Sequence, residues 1–261
     1  MAYPGKTTQL RPQMDEAKLR ELAEKMKSSG RESLRIEKAK LGVKDLSFLE
    51  HFGHLKSLSI SGVEKGFAAV RHLKDLEELG LSYLKQFKCE SLRDLPHLKE
   101  LYLGYMSVAS CEGIADLVEV ERLMFRSVSG VTDVDFVTQM PRLESLHLEE
   151  CKGLTCMPDL SGMTHLTHVW LSHLSNLESI EGVFKAPALK KLVVTMTPKL
   201  EPEDLQPALS HPTLECIGPS LERFVDSPKN IRVAEILKSR FADVFAKDRG
   251  VSVWIEPRRT H

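Results

Sequence analysis

The sequence predicts an α/β solenoid, which is a stack of similar coils with one parallel sheet along its concave side and a helix at each end. Three observations predict this class. A short apolar pattern recurs at a nearly constant interval along most of the chain. The spacing within each copy fits neither an amphipathic helix nor an alternating strand. Segments with helix signals flank the recurring region on both sides.

The stretch LESLHLEECKGL shows the pattern. Its apolar residues Leu143, Leu146, Leu148, Cys151 and Leu154 are separated by three, two, three and three positions, whereas a helix favours intervals of three and four and a strand favours two. Equivalent copies begin at Leu55, Leu76, Leu98, Val120, Leu143, Leu166 and Leu189, with a degenerate copy at Leu214, so that successive copies start 21 to 25 residues apart. A degenerate first copy contains Leu34 and Ile36.

The spacing has a physical explanation. The L-x-L pair forms a short strand with two inward side chains, and the leucine three residues earlier enters the same core. One coil cannot cover its own leucines, so stacked coils share a continuous core. The unit L-x-x-L-x-L, with a turn and a variable return segment, resembles the leucine-rich repeat family. The resemblance covers roughly Leu34 to Leu214 and implies a curved right-handed horseshoe with a parallel concave sheet.

The turn position after each strand departs from the family pattern. Family members often carry Asn there, whereas this chain has Val63, Leu84, Met106, Val128, Cys151, Leu174 and Thr197. We therefore expect an apolar turn instead of a ladder of asparagines. The version EECKGLTCMPDL resembles repeats of cytosolic plant receptors, and stand-alone bacterial repeat proteins show a similar departure.

Both ends of the stack carry a predicted cap. Residues 1–30 are expected to form an N-terminal tail and cap helix, residues 31–218 about eight repeats, and residues 219–261 a C-terminal cap of one helix and one strand. Leu19, Leu22, Ala23 and Met26 keep helical spacing after two acidic residues, and Gly30 is the expected stop.

The C-terminal cap helix is expected to start at Ser227, with Pro228 at its first position, and to end at Gly250. Its apolar face is Val233, Ile236, Leu237, Phe241 and Val244. The alternation of Val251, Val253 and Ile255 predicts a last strand. These caps would leave no residues for a separate catalytic domain.

Composition limits the function classes. The 261 residues include 36 basic and 37 acidic side chains, with a formal net charge of −1. Such a chain lacks the general attraction to phosphate backbones or anionic lipids, so neither a nucleic acid nor a membrane is the expected partner. No secretory signal or membrane span is evident, and several of the five cysteines sit at positions where reduced core thiols are expected. We expect a cytoplasmic protein, monomeric when free and without a cofactor.

The predicted concave face supplies the candidate binding residues. Eight strands about 4.8 Å apart present a face on the order of 34 Å long, which suits a protein better than a metabolite. Tyr, Trp and Arg dominate interface hot spots, and three of the four tyrosines fall on this face. The candidate partner-binding residues are Tyr83, Tyr102, Tyr105, Arg122, Met124, Arg126, His147, Glu149, His168, Trp170 and His173. The alternative is that the aromatic residues only stack along the sheet.

We therefore expect a non-catalytic module that binds a protein partner, either as an adaptor or as a neutralising partner. A small capped repeat protein resembles some bacterial immunity proteins that block a cognate toxin. The alternative function is a small enzyme or metal-binding protein that uses His147, His168 and Glu149, although their spacing has no ligand signature. Cys151 and Cys156 are expected to be small core residues and not zinc or redox ligands.

Overall fold

The fold is a stack of parallel strands. The computed structural model describes residues 7–10, 14–38 and 45–241 of the chain. Its strands are β1 Thr8–Gln9, β2 Ser33–Glu37, β3 Ser57–Ser61, β4 Glu78–Ser82, β5 Phe87–Lys88, β6 Glu100–Ser110, β7 Arg122–Ser129, β8 Ser145–Glu149, β9 His168–Ser172, β10 Lys191–Thr195 and β11 Cys216–Ser220. The sheet runs in the order β1-β2-β3-β4-β6-β7-β8-β9-β10-β11, with every pairing parallel, and β5 pairs β6 beside this path. This open sheet confirms the predicted solenoid.

The return path of most coils contains a short 3-10 helix or an irregular turn. The 3-10 helices are Ser47–Phe52, Phe67–His72, Cys89–Leu92, Asp135–Gln139, Glu181–Lys185 and Pro202–Leu209. They lie between the concave strands along the chain, and the segments from β6 to β7 and from β8 to β9 have no 3-10 helix. No helix within the described ranges is long and apolar enough to span a membrane.

The strand leucines form rungs, as the repeat predicts. Leu58 pairs with Leu79, Leu79 with Leu101, and the same register continues through Leu123 and Leu146. Each of the five is at most 2% exposed. The leucine or valine that opens each copy is buried as well. Each coil covers the apolar side chains of its neighbours, so an isolated coil could not bury its own leucines. In the stack, each buried leucine contributes about 1.5 to 3 kcal/mol to the free energy of unfolding.

The turn after each concave strand is apolar, as expected. The residue five positions after the start of the concave strand has a left-handed backbone in seven coils, at Gly62, Tyr83, Tyr105, Ser127, Glu150, His173 and Met196. The next residue then points into the core: Val63, Leu84, Met106, Val128, Cys151, Leu174 and Thr197 are all buried. The left-handed residue keeps its own side chain on the solvent side. One outward position per coil therefore follows from the turn itself.

The N-terminal helix lies where the sequence predicts it. Helix α1 spans Glu16–Ser28, and the side chain of Asp15 caps it by accepting a hydrogen bond from the backbone N–H of Lys18 at 2.9 Å. Its buried residues Leu19, Ala23 and Met26 join the continuous core. Strand β1, which pairs with β2 in the described part of the predicted tail, is not expected from the sequence.

The C-terminal helix α2 spans Pro228–Leu237 and begins with Ser227 as its N-cap, as predicted. The predicted extension beyond Leu237 is wrong where it can be checked, since Phe241 is buried but not helical. Val244, the expected stop at Gly250 and the expected last strand at residues 251–255 lie outside the described residues.

Candidate protein-binding face

The concave strands bring nine of the eleven predicted residues into two adjacent rows, and the other two, Arg122 and His168, lie at the start of their strands. Strand register places Tyr102, Met124, His147 and Trp170 side by side in the central row, each half-buried. The residues two or three positions further along the chain in each coil form the edge of the same face, and they include Tyr83, Tyr105, Arg126, Glu149 and His173. None of the eleven predicted residues points into the core, so all can be compared as parts of one surface.

The first cluster on this face is a stack of two tyrosines and one arginine. Tyr83 and Tyr105 lie at equivalent positions of neighbouring coils, and their rings stack with centroids 5.5 Å apart and planes 10° apart. The guanidinium of Arg126 lies over the ring of Tyr105, 5.5 Å from its centroid. Stacked aromatic pairs contribute about 0.5 to 1.5 kcal/mol beyond their burial, which holds these rings in place. Tyr83 is still 62% exposed and Tyr105 40% exposed.

The second cluster continues from Arg126 across the next two strands. Glu149 Oε2 lies 3.4 Å from Arg126 Nε and 3.6 Å from His147 Nε2. The His147 ring packs against the Trp170 indole, with centroids 5.2 Å apart. Interaction with the His147 imidazole, and then with the Arg126 guanidinium, lowers the pKa of the Glu149 carboxyl, whereas partial burial acts in the opposite sense. Glu149 is therefore an anion that joins the two clusters.

These contacts form one continuous series across five neighbouring strands, from the turn after β4 to β9. We call it the contact chain and define it as Tyr83, Tyr105, Arg126, Glu149, His147 and Trp170. Each member is oriented by its neighbours, so the face is organised before any partner binds. Six of the eleven predicted residues are thus joined to one another.

Arg122 and Tyr102 have other contacts. Arg122 forms an ion pair with Glu100 on the neighbouring strand, and this contact raises the pKa of the guanidinium. Glu78 lies in register beside Glu100, and burial raises the pKa of its carboxyl. The phenol ring of Tyr102 lies over Gly104, where an added methyl group would overlap it. Arg122 and Tyr102 are thus held against their own sheet.

The remaining two histidines do not join the chain. His168 Nδ1 lies 2.7 Å from the Thr167 hydroxyl, and burial lowers the pKa of its imidazole. His173 is exposed, with Nδ1 2.8 Å from the Ser172 hydroxyl. Both present polar atoms near one end of the face.

Among the residues that the structure describes, the concave histidines and Glu149 do not form a group of three side chains close enough to share a metal ion. Within the described residues, the group of three ligand-type side chains with atoms close enough to share an ion is Glu16, Glu50 and His51, at the other end of the stack. That group is mostly exposed and Arg20 also donates to Glu16 and His51, so its charges are already compensated. No observation on the concave face favours the alternative.

The cysteine prediction is correct for one residue and wrong for the other. Cys151 is buried at the turn position, and burial raises the pKa of its thiol to about 11. Cys156 is exposed, because it lies in the short extended bridge to Ser179 with its side chain outward. The spacing of apolar residues after Cys151 did not show that the Cys156 side chain faces solvent.

One contact on the face was missed from the sequence. The hydroxyl of Ser127 donates a hydrogen bond to the Glu150 carboxylate of the next coil. Both residues occupy the left-handed position of the turn, directly after Tyr105 in the same column. Gly62 occupies the equivalent position in an earlier coil, and glycine favours a left-handed backbone. Gly62 could therefore have indicated the left-handed turn position from the sequence.

Comparisons with known proteins agree with this architecture. No protein-family model matches the chain. A putative disease resistance protein of Arabidopsis thaliana is 33% identical over 107 residues, which make up 39% of this chain and only 8% of that much longer protein.

Solved structures show the same fold. The leucine-rich repeat domain of the type III effector XopL aligns with a TM-score of 0.50 and 20% identity, over 73% of this chain and 69% of that one. Drosophila Toll, solved in complex with Spatzle, aligns with a TM-score of 0.59 and 13% identity, over 81% of this chain and 36% of Toll. At these identities the likeness establishes the fold alone.

The repeat, the parallel rungs and these structures together define the class. The chain has the leucine-rich repeat fold, built as an open solenoid. Solenoids of this kind present an extended concave surface that suits protein partners.

Proposed function

We propose that the chain is a non-catalytic module of the cytoplasm that recognises a protein partner through its concave face. The observation that carries the proposal is the contact chain, which joins two aromatic pairs through one arginine and one glutamate. Tyr, Trp and Arg are the residue types that most often dominate binding energy at protein interfaces.

Pre-organisation is the second argument for recognition at this face. A side chain with free rotamers loses about 0.5 to 1.5 kcal/mol when a partner immobilises it. Tyr83 and Tyr105 already hold each other in a stack, and Arg126 is fixed between Tyr105 and Glu149. A partner that binds here would lose little further side-chain entropy, so more of the contact energy would appear as affinity.

The charge of the face fits a partner of mixed sign. Arg122 and Arg126 are each paired with a glutamate of a neighbouring strand, so neither sign dominates the centre of the face. Such a surface selects a partner by complementary positions of charge and not by net attraction. This supports a specific protein partner over a nucleic acid or a membrane surface.

Affinity capture tests the proposal. The tagged full-length chain is immobilised and incubated with a cytoplasmic extract of its source organism, and bound proteins are quantified by mass spectrometry. The double variant Tyr83→Ala, Trp170→Ala removes both ends of the contact chain and should bind the specific partner about tenfold more weakly or worse. Its melting temperature should stay close to that of the wild type, because both side chains lie on the solvent side.

The matched control is Phe224→Ala. Phe224 is 66% exposed, which is close to the value for Tyr83, but it lies beyond β11 and outside the concave rows. This variant should capture the partner as well as the wild type does. Equal binding by the double variant, or a loss confined to Phe224→Ala, would place recognition elsewhere.

The captured protein also separates the two roles that the sequence suggests. A partner with a measurable activity that the chain inhibits at equal molar ratio identifies a neutralising role. A partner whose activity is unchanged, and which recruits a third protein through the chain, identifies an adaptor.

A further inference from the structure

Two cysteines outside the concave face occupy equivalent positions of consecutive coils. Strand β5 pairs with the end of β6, with Phe87 opposite Val108 and Lys88 opposite Ser110. Cys89 and Cys111 are the next residues on each side of this pairing. Both are free thiols.

The backbones carrying these thiols lie close together. A methyl group placed on Gly113 would come within 3.0 Å of the Cys89 carbonyl oxygen, which shows how near the segment after Cys111 runs to Cys89. Neighbouring parallel strands are about 4.8 Å apart, and disulfides join Cα atoms about 4.4 to 6.8 Å apart. The separation of the coils therefore suits a disulfide.

The two thiols differ in reactivity. Cys89 is fully buried, whereas Cys111 is partly exposed. The neighbouring Cys89 thiol lowers the pKa of Cys111, whereas the neighbouring Cys111 thiol, together with burial, raises the pKa of Cys89. Since an oxidant in solution reaches Cys111 and not the buried Cys89, Cys111 is the residue that reacts first.

A cavity gives a small oxidant access to this residue. A cavity of about 440 Å³ borders Cys111, between the Arg93–Asp116 ion pair and Phe136. It is much larger than a hydroperoxide, and it opens on the return side of the coils, away from the concave face. Oxidation there does not require the partner to leave.

We propose that Cys89 and Cys111 are a dithiol modification site that hydrogen peroxide oxidises to an intramolecular disulfide. The Cys111 thiolate attacks the peroxide, so that an S–O bond forms, the O–O bond breaks and the released hydroxide takes a proton to become water. The Cys89 sulfur then attacks the sulfenic acid, so that the S–S bond forms, the S–O bond breaks and a second water leaves with the Cys89 proton. Two thiols lose two electrons and the peroxide gains two.

The disulfide would link the same two coils that present the tyrosine stack. Tyr83 and Cys89 lie in one coil, and Tyr105 and Cys111 lie in the next. The covalent link restricts the separation of these coils in the unfolded chain and so stabilises the fold. This inference concerns the thiols themselves and holds whichever partner binds the concave face.

The test uses the full-length chain, reduced and then treated with hydrogen peroxide at a small molar excess. Intact mass should fall by two hydrogen atoms, and digestion should yield a peptide pair that joins Cys89 to Cys111. The melting temperature should rise by roughly 5 °C. Dithiothreitol should reverse both changes.

Variants assign the two roles. Cys89→Ala should accumulate a sulfenic acid on Cys111 that dimedone traps, and Cys111→Ala should leave Cys89 reduced. The control Cys156→Ser removes an exposed thiol and should leave the cross-link intact. Two results for the oxidised wild type would overturn the inference: a disulfide between a different pair of cysteines, or sulfinic acid on Cys111 with Cys89 still reduced. Peptide mapping of the wild type detects both, so the test does not depend on how well the variants fold.

Discussion

The left-handed residue after each concave strand is the smallest feature that shapes the face. Tyr83, Tyr105 and Glu150 have φ values of 57°, 53° and 56°, a region that few residues other than glycine adopt. The conformation turns the next side chain into the core and leaves the left-handed side chain outside. The position can therefore change its residue without disturbing the rungs, and it carries the two exposed tyrosines of the concave face.

Thr197 provides a prediction at this scale. It occupies the inward turn position with no exposed surface, and its hydroxyl has no hydrogen-bond partner among the described residues. A buried hydroxyl without a partner costs about 1 to 3 kcal/mol. Thr197→Val keeps the shape and removes the hydroxyl, so the free energy of unfolding should rise by about 1 kcal/mol or more in urea denaturation.

The reverse change is the control for that experiment. Val128 occupies the same position in an earlier coil and is also buried. Val128→Thr should lower the free energy of unfolding by a similar amount. A Thr197→Val chain with an unchanged or lower urea midpoint would show that the threonine hydroxyl has a partner in solution.

At the residue scale the sequence predicts which side chains face outward but not which of them touch. The L-x-x-L-x-L spacing alone places Tyr102, His147 and Trp170 in one row, because strand alternation fixes their side of the sheet. The contacts of Tyr83 with Tyr105, and of Arg126 with Glu149, depend on side-chain rotamers and on the angle between coils. No local sequence pattern predicts either the rotamers or the angle.

Helix α2 shows how an element is fastened to the end of the stack. Asn230 is buried in its first turn, and its side-chain amide donates hydrogen bonds to the carbonyl oxygens of Glu222 at 2.9 Å and Phe224 at 2.8 Å. These bonds hold the segment after β11 against the helix. The N-cap Ser227 and Pro228 are visible in the sequence, whereas the tertiary role of Asn230 is not.

Asn230→Ala should therefore destabilise this end of the protein. Three side-chain hydrogen bonds are lost, because the Glu222 N–H also donates to Asn230 Oδ1 at 3.4 Å. The free energy of unfolding should therefore fall by about 2 kcal/mol. Ile231→Ala is the matched control, because Ile231 is the next residue in the same helix and is exposed. Its effect should stay within about 0.5 kcal/mol. Equal effects of the two substitutions in urea denaturation would contradict this role for Asn230.

At the scale of the whole molecule, the period of the repeat predicts the fold. Copies of near-equal length require parallel strands in register, and Leu58, Leu79 and Leu101 align as that argument demands. The short strands β1 and β5 were not predicted, since each has two residues and pairs only because a neighbouring coil supplies an edge. Their formation depends on the assembled stack and not on their own composition.

The central claim is that recognition takes place on the concave side of this stack. Hydrogen–deuterium exchange of the chain, alone and with the partner obtained by affinity capture, tests it most directly. We predict slower exchange on binding in the peptides that contain β4, β6, β7, β8 and β9 and the turns that follow them, with no change in the 3-10 segments Asp135–Gln139 and Glu181–Lys185 of the return side. Protection confined to those return segments, with the concave strands unchanged, would contradict the claim.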